Sequence, residues 1–437
     1  MIEYRNLRIA LLGAGNVGGQ VARLLVQQRD VLASRIGAGL ELVGVLVRDP
    51  DAPRDLPVSA DLYTTDADTL IAGADIVVEL MGGIEPARTY VLQALSSGAD
   101  VITGNKALLA LHGPELFEVA EQVGAQLYYE AAVGGAIPII RPLRESLAGD
   151  RVERIIGIVN GTTNFILDRM DRLGEEMADA LAVAQELGYA EADPTADVGG
   201  YDAAQKAAIL ASLAFHTSVP LSAVHREGIE HITRAQVEAA KHAGYVLKLL
   251  AIAERMPHEA DGGRDGIAAR VHPALIPAEH PLATVRGAFN AIFVEAEAAG
   301  ELMFYGAGAG GLQTASAVLG DLVSAARRHV AGGPGVAEST QARIPVLGID
   351  RVVTRYQITL EAVDRPGVLA EIATIVSNHG VSVETVQQST EPGSGSAELV
   401  VGTHAATEAA LAATVAELES SDVVTAITSV LRVEGVR

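Results

Sequence analysis

The chain contains neither cysteine nor tryptophan in 437 residues. Disulfides and thiolate-bound zinc are therefore excluded. So is any covalent chemistry on a cysteine nucleophile, such as that of the phosphorylating aldehyde dehydrogenases. Lysine is almost as scarce, with only Lys106, Lys206, Lys241 and Lys248. Against 55 acidic residues stand 32 Lys and Arg, a net charge of −23. That balance argues against nucleic acid and anionic membranes as partners. Also missing is any charge-free apolar stretch of about 20 residues. The N-terminus runs straight into a strand pattern, with no signal-peptide character, so no membrane span and a cytoplasmic location are expected. The eleven histidines show no HExxH-type spacing, and no zinc site is implied.

The length suggests two or three domains. Residues 7–26 read LRIALLGAGNVGGQVARLLV. An apolar strand enters Gly13-x-Gly15-x-x-Gly18 and then a helix with Val21, Leu24 and Leu25 on one side. This is the strand–turn–helix context that a dinucleotide fingerprint needs. Gly13 permits the tight turn, Gly15 lets the backbone approach a pyrophosphate, and Gly18 allows close helix–strand packing. Asn16 and Val17 open the helix, whose N-terminal amides suit an anion. The alternative is a glycine-rich turn that binds nothing. The next strand, LELVGVLVRD, ends in Arg48-Asp49. A carboxylate there holds the ribose hydroxyl of NAD, and an arginine accommodates the phosphate of NADP. Arg48 comes first, so NADP is expected, with NAD also accepted. A later strand, ADVITGNK, delivers Lys106 to the sheet edge; its bland reading is a helix-start lysine facing water.

Residues 184–206, AQELGYAEADPTADVGGYDAAQK, place Glu191, Asp193, Asp197 and Asp202 within twelve positions of one another. Gly188 stops one helix, and the segment ends on another that is apolar nearly all round, so burial is expected. Asp202 and Lys206 are four apart and share a face. A lysine on a buried helix needs a partner, and desolvation moves its pKa toward usable acid–base values. A solvated acidic loop beside a structural ion pair fits the same residues. Lys248, inside YVLKLLAIAE, reads as a snorkelling or ion-paired core lysine.

At this point the chain resembles a homoserine dehydrogenase of the monofunctional type with a C-terminal ACT domain. The family signature is matched without departure at Ala184, Gly188, Tyr189, Asp193-Pro194, Asp197-Val198, Gly200, Asp202 and Lys206. GNK (104–106), EAAVGGAIP (130–138), NGTTNFIL (160–167) and GAGAGG (306–311) match as well. The resemblance implies reversible hydride transfer between L-homoserine and L-aspartate 4-semialdehyde with NAD(P), in the synthesis of threonine, methionine and isoleucine. It implies Lys206 as proton donor, Lys106 as a second cation beside the cofactor, and Asp202 orienting Lys206. It assigns Glu191, Asp197 and Thr162 to substrate, with Thr163 as a further hydroxyl, and Gly308 to cofactor. It also implies a monovalent cation, sodium, on Glu130, Val133, Gly135 and Ile137, held largely by main-chain oxygens. A homodimer or dimer of dimers is expected.

The expected fold is α/β: a Rossmann-type nucleotide-binding domain (1–140 plus 306–330), an α+β substrate and dimerisation domain (141–305), a linker (331–352) and a ferredoxin-like ACT domain (353–437). Within the middle domain the pattern predicts strand RVERIIGIVNGT, helices to about 255, then strands RVHPALIP and NAIFVEAEAAGELMFYG. PHEADGGRDG (257–266) reads as a hairpin or loop. In the tail the order βαββαβ is expected, with a turn at EPGSGS. By resemblance this module binds an amino acid, threonine, near residues 364–367; a dimerisation role without ligand is the alternative. The tail reads as separable at 331–342. The rival class is a sensor reporting cofactor and amino-acid levels without turnover, distinguished by a cofactor-consumption assay with homoserine. Another amino-acid oxidoreductase with an inserted domain would need different residues at 184–206.

Overall fold

The computed structural model describes residues 5–256, 265–333, 335, 342–390 and 396–435. Two units divide the chain. The first takes Met1–Gly161, Gln205–Ser222 and Phe289–Ile344; the second takes Thr162–Ala204, Ala223–Ala288 and Pro345–Arg437.

The first unit is built on β1 (Leu7–Leu12), β2 (Leu40–Leu46), β3 (Tyr63–Thr64), β4 (Ile76–Glu79), β5 (Asp100–Thr103) and β6 (Leu127–Tyr128). All pair in parallel, in the order β3-β2-β1-β4-β5-β6. Their sequences are nearly continuous apolar runs, as parallel strands covered on both faces require. Ile9, Leu11, Val45 and Val78 are fully buried against Val21 of helix Asn16–Gln27 and Val318 and Leu322 of helix Gly311–Ala331. The strand order reverses between β1 and β4, which opens the crevice where such sheets take ligands. Strand Val152–Ile158 pairs with Phe289–Ala296, which forms a hairpin with Gly300–Ala307.

In the second unit, Tyr245–Met256 and Gly266–Pro277 form a twelve-residue antiparallel pair. The helical expectation up to about 255 is therefore wrong for 245–256. This strand is buried on both faces, so its apolar run shows no alternation, and such a run does not distinguish strand from helix. The loop expected at 257–266 lies, up to 264, outside the described residues.

The tail is βαββαβ. Strands Val353–Val363, Val383–Thr390, Ser396–Thr403 and Val424–Val433 carry helices Val368–Asn378 and Glu408–Ser420. Ile358, Leu360, Ile372, Leu399 and Leu411 close its core. The expected turn at EPGSGS lies, except for its last residue, outside the described residues. The tail also pairs with a strand outside it. Val424–Val433 pairs in parallel with Gly266–Pro277, matching Arg432 to Ala274 and Val433 to Leu275. The connection is itself laced to that strand: Ile267 N donates to Pro345 O at 2.9 Å, and Leu347 N to Ile267 O at 2.8 Å. Among the described residues no helix is long and apolar enough to cross a membrane.

Candidate active site

Gly13 adopts φ +103, a left-handed conformation that side chains rarely tolerate, with the Leu80 carbonyl 2.9 Å from where a Cβ would lie. A methyl on Gly18 would overlap the Gly13 carbonyl oxygen. Helix Asn16–Gln27 therefore starts tight against the turn, with no side-chain cap on its first amides. Helix Gly311–Ala331 begins beside it, since a Cβ on Gly311 would overlap the Asn16 side chain. Arg48 and Asp49 are exposed just past the end of β2. Asp49 accepts from the Asp51 amide at 3.0 Å. Among the described residues Arg48 has no hydrogen-bond or ion-pair partner, which leaves its guanidinium available to an anion.

At the ends of β4 and β5 lies a polar network that sequence reasoning missed. Glu79 is fully buried, accepts from Thr103 Oγ1 at 2.6 Å and from Met81 N at 2.8 Å. Thr103 Oγ1 in turn takes the Asn105 amide at 3.0 Å. Asn105 caps helix Lys106–Val123 by accepting from Leu108 N, and donates to Gly83 O at 2.6 Å. Lys106 is thus the first residue of a capped helix and is half-buried, not facing open water. The available signal was a carboxylate ending an apolar strand, IVVE.

Lys206 is buried on helix Tyr201–Ala214. Its Nζ donates to the carbonyl of Val159, at 2.6 Å, just beyond strand Val152–Ile158. Asp202 lies one turn earlier on the same helix and is also buried.

The EAAVGGAIP loop is organised by Glu130. Its buried carboxylate accepts from the amides of Ile139 (2.6 Å), Ile140 (2.7 Å) and Arg141 (3.0 Å) and from Arg141 Nε (3.1 Å). Asp321 accepts from the Glu130 amide at 2.8 Å. Burial, with Glu130 close by, pushes the Asp321 carboxyl up to about 7. Glu130 therefore has a main-chain oxygen, not its carboxylate, to offer a cation. Val133, Gly135 and Ile137 are buried, and among the described residues their carbonyls accept no hydrogen bond from the backbone. Buried unpaired carbonyls are uncommon. A set of neutral oxygens suits a hard, singly charged ion. Among the described residues no group of three or more His, Asp or Glu is placed to hold a metal. The loop also meets the second glycine-rich turn: Ala136 N donates to Ala307 O at 3.0 Å, and a Cβ on Gly135 would lie 2.5 Å from Gly308 O.

In the second unit, Glu191 is exposed and Asp197 half-buried. Gln185 Nε2 pins their loop through Glu191 O at 3.1 Å. Asp193 accepts from Thr195 N at 3.1 Å, which gives it a turn-forming role. Thr162 Oγ1 donates to Tyr189 O at 2.7 Å, so its proton is engaged and only its lone pairs can serve a substrate. Thr163 is buried. Lys248 is fully buried and does not snorkel. Its Nζ donates to Asn164 Oδ1 (2.8 Å) and Val285 O (2.6 Å), both neutral acceptors.

Three family models match consecutive stretches of the chain. The model "Homoserine dehydrogenase, NAD binding domain" matches residues 13–130, "Homoserine dehydrogenase" matches 138–323, and "ACT domain" matches 356–422. A homoserine dehydrogenase of Corynebacterium glutamicum is 54% identical over 428 residues, 98% of this chain and 95% of that one. The chain belongs to the homoserine dehydrogenase family. A crystal structure of a homoserine dehydrogenase from Thiobacillus denitrificans covers 99% of both chains at 39% identity and TM-score 0.91. A hyperthermophilic archaeal homoserine dehydrogenase, solved in complex with NADPH, covers 76% of this chain and 99% of its own at 27% identity and TM-score 0.61. The protein is accordingly an oxidoreductase that acts on a CH–OH group with a nicotinamide cofactor.

Proposed function

We propose that this homoserine dehydrogenase interconverts L-homoserine and L-aspartate 4-semialdehyde with NADP as preferred cofactor and NAD also accepted. It would serve threonine, methionine and isoleucine synthesis in the cytoplasm as a homodimer or dimer of dimers. The observation that carries the chemistry is the buried Lys206 ammonium held on the Val159 carbonyl. The cofactor, when bound, supplies the hydride exchange with the substrate carbon. Lys206 then faces the oxygen on which charge develops in the reductive direction; it stabilises that charge and donates the proton, and takes the proton back in oxidation. Lys106 is a second cation in this reading. Glu191 binds the substrate ammonium, Asp197 and Asp202 orient substrate and Lys206, and Thr162 accepts from the substrate through its remaining lone pairs. Sodium on the main-chain oxygens of Glu130, Val133, Gly135 and Ile137 would hold the loop and take no part in the hydride step. Steady-state rates on aspartate semialdehyde with NADPH and NADH, with and without L-threonine, test this reading.

Arg48 decides the cofactor. Its exposed side chain past β2 would receive a 2′-phosphate. Arg48→Ala should weaken NADP by about 1.5–3 kcal/mol, roughly ten- to a hundredfold, and leave NAD almost unchanged. Equal losses for the two cofactors in equilibrium titrations would assign the preference elsewhere, to Asp49 first.

The tail carries regulation in this reading. A cavity of ≈ 170 Å³ sits at Asp364, Arg365, Pro366 and Gly367, faced by Gln388 and Leu399. Helix Val368–Asn378 starts there from Gly367 without a side-chain cap, presenting amides to a carboxylate. L-Threonine should bind the full-length enzyme by calorimetry and inhibit it with a coupling of about 1–3 kcal/mol. Absence of heat and of any kinetic change with threonine or related amino acids would leave the tail as a dimerisation module.

A further inference from the structure

A partly buried ion cluster, with Glu408 and Arg432 enclosed and Glu227 at its half-exposed rim, joins the tail to the segment that follows the signature helix. Arg432, on strand Val424–Val433, donates from Nε to Glu408 Oε1 (2.8 Å) and from Nη2 to Glu408 Oε2 (3.0 Å). Tyr356 Oη donates to the same carboxylate at 2.9 Å. These three residues belong to the tail. The remaining Arg432 donor, Nη1, leaves the tail and reaches Glu227 Oε2 at 2.9 Å. Glu227 also meets His225 Nε2 at 2.7 Å, and its amide donates to Val271 O at 2.7 Å. Burial raises the Glu227 carboxyl, but His225 and Arg432 outweigh this and hold it down at about 2. It is therefore ionised across the physiological range.

Segment 225–229 presses with its other side on the turn between Asp197 and Asp202. Arg226 donates to the Gly199 carbonyl and stacks 3.6 Å from the Tyr201 ring centroid. Ile229 N donates to Val198 O at 2.8 Å. The Glu227 carbonyl lies 3.2 Å from where a Cβ on Gly200 would be, and a Cβ on Gly228 would overlap the Val198 carbonyl. Nothing larger than glycine fits between the two backbones, so a shift of 225–229 moves the 198–201 turn with it. Beside the bridge lies an open cavity of ≈ 380 Å³, lined by Glu227, Gly228, His231, Val430 and Arg432 among others. It gives the segment room for a second arrangement.

We propose that Glu227, clamped by Arg432, is the positioning residue through which the state of the tail reaches the Asp197–Asp202 turn, and so the grip on substrate; the proposal rests on the effector reading of the tail. Glu227 touches neither effector nor substrate in this scheme. Coupling of this kind needs an element with two arrangements that both sites bias. Segment 225–229 is that element in this scheme, and the Arg432–Glu227 ion pair is its direct side-chain link to the tail, beside the backbone route through strand Gly266–Pro277.

The test uses the full chain with L-threonine as probe. Glu227→Ala should still bind L-threonine by calorimetry, within about threefold of wild type, in the absence of substrate. Its inhibition should need at least tenfold more threonine, or vanish, the lower part of the usual coupling range. Glu227→Gln, which keeps the shape and an acceptor, should fall between the two and covers the case in which the alanine variant does not fold. Hydrogen exchange at residues 198–201 should respond to threonine in wild type and not in Glu227→Ala. Unchanged inhibition in folded Glu227 variants overturns the proposal. A wild-type enzyme that neither binds nor responds to threonine overturns the effector reading instead, and with it any signal for the bridge to carry.

Discussion

Lys206→Ala should lower kcat at least a hundredfold while cofactor affinity barely moves. The loss of a positioned acid–base group has that scale. The geometry sets the expectation. Lys206 is buried, and Val159 O fixes its Nζ at 2.6 Å, so the ammonium is oriented before substrate arrives. In a site shielded from water a fixed cation stabilises a developing alkoxide far more than it would in solvent. Alanine is the best helix former, so helix Tyr201–Ala214 should accept it, and far-UV circular dichroism checks that the variant is folded. Lys206→Arg would retain the charge without a usable proton, since a guanidinium does not deprotonate in this range. It should therefore rescue little at neutral pH. Lys106→Ala is the companion measurement. If Lys206→Ala turns over near normally and Lys106→Ala does not, the proton belongs to the other lysine.

What could be read from the sequence was local. The nucleotide turn was legible because strand, turn and helix occupy one unbroken stretch, and because Gly13 answers to its own left-handed φ and Gly18 to the Gly13 carbonyl five residues earlier. The tail was legible for a similar reason: strands Val353–Val363 and Ser396–Thr403 alternate, with one face on the core, and its helices carry apolar stripes such as Ile372, Ile375 and Val376. The signature run 184–206 named Lys206 and its neighbouring carboxylates, but only through chemistry plus resemblance. Its pattern alone did not separate a site from an acidic loop.

What could not be read was non-local. Strand Tyr245–Met256 is enclosed on both faces, and without alternation its apolar run resembled a helix. The strand pairing between Gly266–Pro277 and the tail, and the bond from Arg432 to Glu227, join residues more than 150 positions apart; no spacing rule contains them. The glycine-rich connection suggested a detachable tail, whereas residues 345–347 are hydrogen-bonded to that strand. Arg270 shows what truncation would do. It is fully buried and held by Glu254 at 2.6 Å and by the tail's Glu434 at 2.9 Å, so removing the tail leaves a buried cation with half its partners. Point substitutions therefore test the tail more cleanly than deletion does.

Lys248 should make stability rise with pH where most proteins begin to lose it. Burial depresses this amine from 10.5 to about 8, partly offset by Asp168. Between those two values the unfolded chain holds a proton that the native chain has released, so stability climbs as pH increases. Below about 8 both states are protonated, and the folded state carries the full penalty of an enclosed ammonium held by Asn164 Oδ1 and Val285 O. Above about 10.5 the penalty is gone. A shift of this size corresponds to about 3 kcal/mol. Lys248→Met removes the titration and, at every pH alike, the two hydrogen bonds. The stability of wild type relative to Lys248→Met should therefore increase by about 3 kcal/mol from pH 7 to pH 10.5. Paired urea unfolding curves at the two pH values measure it, because every other titrating group is common to both proteins. A constant difference would mean that the folded state keeps Lys248 charged throughout. The lysine would then belong with Asp168 and Asp171 as part of an ionic cluster, and not with the neutral acceptors that now hold it.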